Sequence, residues 1–170
     1  SAGYAARITP SESARNIAMV HLAMFEALNS IEPRYAPYRG RLATESSASR
    51  EATGASAAHY LLVRLYPDQA KEMDKTLAAS LAAVSDGPAK TEGMRLGEQA
   101  ARTMLDDRRG DGADAPNTYR PFTVPGKYVP TNFPATPGWG AVRPFALKSA
   151  SQFGPVAPYT LTSKQWAKDY

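Results

Sequence analysis

Four segments of this chain repeat apolar or small side chains at steps of three and four residues, and proline or glycine follows each segment. Because that spacing places the repeated residues on one side of an α-helix, it predicts four amphipathic helices. A helix with one apolar side needs a partner to bury it, so a bundle is the economical arrangement. We expect an all-α fold, with a helical bundle of about four helices over residues 1–114.

The first predicted helix, residues 9–32, has the clearest boundaries. Thr9 and Glu12 have the spacing of a capping box, Pro10 occupies the first helical position, and Pro33 closes the segment. Five residues are predicted to form its inner face: Ile17, His21, Met24, Leu28 and Ile31.

The next three helices are predicted over residues 47–66, over a segment that begins after Pro67, and over residues 88–109. Asp68 is predicted to cap the third helix. The predicted inner faces are Ala52, Ala55, His59, Leu62 and Tyr66 in the second helix, Met73, Leu77, Leu81 and Val84 in the third, and Met94, Gly97, Ala101 and Met104 in the fourth.

Residues 115–170 differ from the rest in composition, with nine of the fourteen prolines and ten of the sixteen aromatic residues. Proline at this density excludes long helices, whereas so many large rings are unlike a solvated linker. We predict an extended Pro/aromatic-rich segment that packs on the bundle or on a missing C-terminal half. Only residues 163–170 have the character of a helix start, so we expect the chain to be part of a longer protein.

The charge and composition exclude several classes of function. The formal charge is +4, and six basic but only one acidic residue fall in residues 116–170. These cations are spread without clustering, so structural anchoring by the aromatic residues is favoured over nucleic-acid binding. The absence of cysteine excludes disulfides and thiolate sites, and no apolar run reaches the length of a membrane span.

The two histidines, His21 and His59, are the candidate metal ligands, because both fall on predicted inner faces. A buried, hydrogen-bonded core residue is the alternative interpretation of each. The neighbouring inward positions offer no carboxylate, and no HExxH or Glu-x-x-His pair occurs. We therefore predict no metal site. No GxSxG-like nucleophile elbow is present either.

Several stretches together resemble the N-terminal half of the vanadium-dependent haloperoxidases, which are related to type 2 phosphatidic acid phosphatases and bacterial acid phosphatases. The stretches are RNIAMVHLAMFEALNSIEPRYAPY, AAHYLLVRLYPDQ, LAASLAAVSDGPAKTEGMRLGEQAA, RRGDG, PFTVPGKYVPTN and WGAVRPFALKSASQFGP. The resemblance runs from about Pro10 to the C-terminus, in the same order, and covers half of the family's length.

This resemblance implies an all-helical fold of two related bundles. It also implies an active site in which a lysine, two arginines and a histidine hold vanadate or phosphate, and another histidine acts as acid and base. The family's motifs are K-x6-R-P, P-S-G-H and S-R-x3-G-x-H-x3-D. Arg120 and Arg143 are each followed by proline, but Ala113 and Thr136 stand where the lysine is required, and no Ser-Gly-His occurs.

The third motif has one partial match, Arg15 with His21 six residues later. Ala14, Met19 and Phe25 stand where that motif requires serine, glycine and aspartate. We interpret this partial match as chance, or as a trace of similarity between the two related bundles of that family. We assign no catalytic or cofactor-binding residue to this chain and expect it to be inactive alone.

The resemblance implies that this chain is the structural half of a protein whose complete form binds vanadate and oxidises halide with hydrogen peroxide. Its partner would be a C-terminal catalytic half or a companion chain. The alternatives are half of a related acid phosphatase, a non-catalytic helical interaction module or homo-oligomer, and an independent metal site at His21 and His59. The absence of cysteine is compatible with an oxidising compartment, and we expect a periplasmic or secreted protein.

Overall fold

The computed structural model describes residues 8–44 and 47–169. Within these ranges the chain forms α-helices and 3₁₀ turns and no β-strand, which confirms the all-α prediction. The chain divides into two compact units, the first ending at Arg109 and the second beginning at Gly110. The helices are α1 (Pro10–Ile31), α2 (Arg50–Leu65), α3 (Ala70–Ala82), α4 (Pro88–Asp107) and α5 (Lys164–Asp169), with 3₁₀ turns at Pro67–Gln69 and Trp139–Ala141.

The predicted start of α1 is confirmed in atomic detail. The Thr9 side-chain hydroxyl accepts a hydrogen bond from the Glu12 backbone N–H at 3.3 Å, and the Glu12 carboxylate accepts one from the Thr9 N–H at 2.8 Å. Two of the N–H groups that a helix start leaves unpaired are thus satisfied reciprocally. At the other end, the N–H of Glu32 donates to the Leu28 carbonyl oxygen at 3.2 Å.

The closest helix pair in the first unit is α2 and α4. A Cβ atom on Gly93 would stand 2.5 Å from the Ser49 carbonyl oxygen, and one on Gly97 would overlap the Thr53 backbone. Glycine is therefore required at both positions for the backbones to approach this closely. Beside this crossing, Leu96 and Ala100 of α4 form a buried cluster with Ala27 of α1.

The predicted inner face of α1 is wrong in its first half. The side chain of Ile17 is 53% exposed, and His21 is also exposed. The apolar residues that α1 buries are Met19, Val20, Ala23 and Ala27. This helix carries apolar side chains around most of its circumference, and the close packing of the bundle selects the side that has small alanines.

The predicted cap of α3 is also wrong. The 3₁₀ turn Pro67–Gln69 precedes the helix, so Gln69 rather than Asp68 occupies the N-cap position, and no side chain caps it there. No residue of α3 is fully buried. Because Met73 and Leu77 on its inner face are only half-buried, α3 covers α2 loosely.

Buried polar side chains of α1 fix the loop that follows it. The Glu26 carboxylate, which is almost fully buried, accepts hydrogen bonds from the backbone N–H groups of Tyr38 and Gly40. The buried Asn29 side chain donates to the Tyr35 carbonyl oxygen at 2.9 Å and accepts from the Tyr35 N–H at 3.0 Å. These bonds replace the regular backbone pairing that an irregular loop lacks.

The second unit consists mainly of turns and extended backbone. The N–H of Arg143 donates to the Asp111 carbonyl oxygen at 2.8 Å, which joins two distant parts of this unit. The predicted helix start near its end is confirmed, because the Ser163 hydroxyl accepts a hydrogen bond from the Trp166 N–H in the first turn of α5. The predicted boundaries of the two domains, 1–114 and 115–170, stay predictions.

Large apolar side chains of the second unit are exposed to solvent. The exposed fraction is 80% for Tyr128, 79% for Phe133 and Phe153, and 91% for Val156. Large apolar side chains that gather into one exposed patch are typical of interaction sites, so these residues are candidates for such a role. No helix in the described parts of the chain is both long enough and apolar enough to cross a membrane.

Candidate functional site

The candidate site is an apolar groove of about 300 Å³ in the first unit, which we call the α2–α3 groove. The small residues Gly54, Ala55 and Ala58 of α2 and Ser80 of α3 leave the space unfilled. The side chains of larger apolar residues border it. The lining residues are Met24 of α1, Gly54, Ala55, Ala58, His59 and Leu62 of α2, and Met73, Thr76, Leu77 and Ser80 of α3.

The groove exists because several lining residues of α2 are small and α3 covers α2 loosely. A Cβ atom on Gly54 would approach only Met24, at 3.8 Å from its Cε atom, which is ordinary van der Waals contact. Gly54 therefore leaves space unfilled, in contrast to Gly97, where the neighbouring helix fills it. Loose cover by α3 and small residues on α2 together produce the groove.

His59 is the one ionisable side chain in the groove lining, and Asp74 of α3 holds its imidazole. The His59 Nε2 atom lies 2.7 Å from the Asp74 Oδ1 atom, which is hydrogen-bond distance. The His59 side chain is 22% exposed, whereas the Asp74 carboxylate is largely in solvent. An ionised carboxylate only accepts hydrogen bonds, so Nε2 carries the hydrogen and Nδ1 is the lone-pair acceptor when the imidazole is neutral.

The two hydroxyl groups that line the groove donate their hydrogens elsewhere. Thr76 Oγ1 donates to the Glu72 carbonyl oxygen at 3.0 Å, and Ser80 Oγ donates to the Thr76 carbonyl oxygen at 2.9 Å. A hydroxyl has one hydrogen and two lone pairs, so each oxygen keeps the ability to accept. The polar groups of the groove are therefore hydrogen-bond acceptors.

The groove does not fit vanadate or phosphate. Binding such an oxyanion requires converging cations and hydrogen-bond donors. The groove lining includes one imidazole and neither lysine nor arginine, and its two hydroxyls have already donated their hydrogens. The residues that line the groove therefore do not suit vanadate as a ligand.

Arg15 and His21, which match part of the third motif, do not meet in the groove. The Arg15 guanidinium donates to the Arg108 carbonyl oxygen at 3.3 Å, at the C-terminal end of α4. His21 is exposed and is absent from the groove lining, so the two candidate histidines, His21 and His59, do not share this site. Among residues 8–44 and 47–169, no three histidine or acidic side chains converge as a metal site would require.

The arginines that precede proline lie in the second unit, and both are exposed. Arg120 donates to the carbonyl oxygens of Asn117, at 3.3 Å, and Tyr119, at 2.7 Å. Its guanidinium thus binds its own segment of backbone.

A second, smaller pocket of about 230 Å³ lies beside the C-terminal end of α1, among residues that include Phe25 and Tyr35. The Glu32 carboxylate at its rim pairs with Arg34 and with Arg50, whose Nη2 atom lies 2.5 Å from Oε2. The hydrogen bond from Arg34 and the positive charges of both arginines lower the pKa of Glu32 below its ordinary value. Because two arginines face one carboxylate, this surface group keeps a net positive charge.

Six of the ten residues that line the groove belong to the predicted inner faces: Met24, Ala55, His59, Leu62, Met73 and Leu77. Asp74, Thr76 and Ser80 were not singled out, because polar residues on an amphipathic helix are normally assigned to its solvent side. Their spacing is the signal for this position. Thr76 and Ser80 are four residues apart, and Leu77 is one residue from Thr76 and three from Ser80, so the three side chains lie on neighbouring parts of the α3 surface.

Comparison of the chain with models of known protein families, with curated proteins and with solved structures found no match.

Proposed function

We propose that this chain is the N-terminal structural half of a vanadium-dependent haloperoxidase-like protein. In the complete protein, a catalytic half would bind vanadate and use hydrogen peroxide to oxidise halide. The half described here would pack against that catalytic half and shape the entrance for its substrate. The sequence resemblance motivates the proposal, and the three motifs missing from this chain would belong to the partner.

The observation that supports a packing role is the exposure of large apolar side chains in the second unit, above all Tyr128, Phe133 and Phe153. An aromatic side chain contributes a large apolar area when it is buried, so several of them provide a substantial driving force for association. Six lysines and arginines against three aspartates in residues 110–170 also suit a partner face of acidic character.

A second candidate is a non-catalytic interaction module that acts without a catalytic half. The close packing of α2 on α4 and the buried cluster of Ala27, Leu96 and Ala100 favour it, because they give the first unit a core of its own. In this case the exposed aromatic residues would bind a different partner or a second copy of the chain.

The experiment that separates these candidates is mass spectrometry of the native material under non-denaturing conditions. The proposal predicts that a companion polypeptide, or a C-terminal continuation of the chain, is present and carries K-x6-R-P, P-S-G-H and S-R-x3-G-x-H-x3-D. A complex with a polypeptide that lacks these motifs, or a stable species with the mass of one or two copies of this chain, would contradict it.

A further inference from the structure

We propose that the α2–α3 groove binds an uncharged apolar molecule that carries a single hydroxyl or N–H donor. This site lies within the first unit and is independent of the proposed catalytic half.

The size and lining of the groove suit a small apolar ligand. Its volume, about 300 Å³, lies at the lower end of the range for ligand pockets, which are mostly apolar with a few polar groups that fix orientation. Leu62, Met73 and Leu77 provide the apolar walls. The methionine side chain adapts its shape to a ligand more readily than branched residues do.

The hydrogen-bonding groups of the groove select the polar end of the ligand. Asp74 accepts from Nε2 of His59, so the neutral imidazole presents Nδ1 as an acceptor on a ring that forms part of the groove wall. Thr76 and Ser80 have donated their hydrogens to α3 carbonyl groups and present lone pairs. A ligand with a donor therefore complements the groove, whereas one that only accepts leaves its polar atom unpaired.

The same groups disfavour charged ligands. A carboxylate or phosphate would meet acceptors with no lysine or arginine in the lining. An anionic group would also lose hydration against an apolar wall with no counter-charge nearby. A cationic group would have only the Asp74 carboxylate, which is largely in solvent and would offset little of the lost hydration. The occupant is thus expected to be a neutral alcohol, phenol or amide with an apolar body.

The test uses two isomeric probes, 1-heptanol and hexyl methyl ether, which have the same atoms but differ in the presence of a donor. Both are titrated into the full chain while NMR follows the methyl groups of Ala55, Ala58 and Leu77. We expect saturable shifts with both probes and tighter binding of the alcohol by about two- to tenfold, as one net hydrogen bond provides. Heptanoate is expected to bind more weakly than either.

Two histidine variants form a matched pair. His59→Phe keeps an aromatic ring but removes one acceptor, and we expect it to reduce the preference for the alcohol, which Thr76 and Ser80 still support, while the ether still binds. His21→Phe changes the exposed histidine outside the groove and should leave both affinities unchanged. In the wild-type chain, nitrogen NMR at a pH where the imidazole is neutral should find the hydrogen of His59 on Nε2.

Filling the groove supplies an independent variant. Ala58→Phe should prevent binding of both probes, with the helical circular dichroism spectrum and the melting temperature as the check on folding. Should this variant fail to fold, Gly54→Val serves instead, because a Cβ at that position meets only the flexible end of Met24. Equal affinities for the alcohol and the ether, the absence of saturable groove shifts, or unchanged binding in a folded filled variant would overturn the proposal.

Discussion

Gly97 of α4 lies so close to the Thr53 backbone of α2 that no side chain fits between the two helices. The nearest atom to a Cβ at this position is the Thr53 carbonyl oxygen, and the Ala57 backbone nitrogen would be 2.8 Å away. Backbone atoms in two helices cannot move aside as the end of a flexible side chain can. This contact therefore sets the separation of α2 and α4.

The first prediction compares two glycines in helix interiors. Gly97→Ala should destabilise the fold by about 1–3 kcal/mol, because the overpacked side chain forces α2 and α4 apart. Gly54→Ala should instead be neutral or stabilising by up to about 1 kcal/mol, since alanine favours the helix and the added methyl group enters the groove without a clash. Urea unfolding followed by circular dichroism measures both changes, and equal effects of the two substitutions would contradict the assignment of the close crossing.

The second prediction concerns the loop after α1. Glu26→Gln replaces one carboxylate oxygen with an NH2 group, so one of the N–H donors of Tyr38 and Gly40 faces another donor. We expect a loss of about 1–3 kcal/mol in the free energy of unfolding and faster hydrogen exchange at both backbone amides.

The matched control for this loop is Glu98→Gln on the surface of α4. Glu98 lies 3.6 Å from Arg102 in an exposed ion pair, and such pairs contribute little to stability. Its substitution should change the free energy of unfolding by less than about 0.5 kcal/mol. Unchanged exchange at Tyr38 and Gly40 in the Glu26 variant would show that Glu26 does not hold the loop.

The third prediction concerns pH. Because the hydrogen bond from Arg34 and the charges of Arg34 and Arg50 lower the pKa of Glu32 in the folded chain, these pairs stabilise the fold above the pKa of the unfolded-state carboxyl. Their contribution is lost as the pH falls through the lower pKa of the folded state. A carbon NMR titration should show the Glu32 pKa rising in Arg34→Met and, to a smaller extent, in Arg50→Met. Arg41→Met, which changes an exposed arginine outside these pairs, should leave it unchanged.

The fourth prediction tests association through the exposed rings. Replacing Phe133 and Phe153 with serine should weaken binding of the proposed companion polypeptide at least about tenfold, because two large apolar side chains no longer become buried. Thr131→Ser, at an exposed position in the same segment, should have no effect. Analytical ultracentrifugation of mixtures measures the affinities, and equal affinities for the two variants would exclude these rings from the interface.

Local signals in the sequence predict the start of α1, whereas the start of α3 differs from its prediction because a 3₁₀ turn precedes that helix. Thr9, Pro10 and Glu12 determine the start of α1 through bonds within one turn, which do not depend on the rest of the fold. The face of α1 that turns inward depends on its neighbours instead. Ile17 is as apolar as Val20, yet the close crossing of α2 and α4 favours the side of α1 that carries Ala23 and Ala27.

The candidate groove was harder to predict, because it arises from what the side chains leave unfilled. Gly54 and Gly97 are both glycines in helix interiors, but one faces open space and the other a backbone. Similarly, the pairing of His59 with Asp74 depends on how α3 lies over α2. Neither relationship follows from spacing along one helix.

The most direct test of the proposed function is bromide oxidation with added vanadate and hydrogen peroxide, measured as bromination of phenol red. The purified chain is assayed alone and after addition of its companion polypeptide. We expect no turnover by the chain alone and vanadate-dependent turnover once the companion is present. Vanadate-dependent turnover by this chain alone would contradict the proposed function, as would an inert complex with a companion that carries all three motifs.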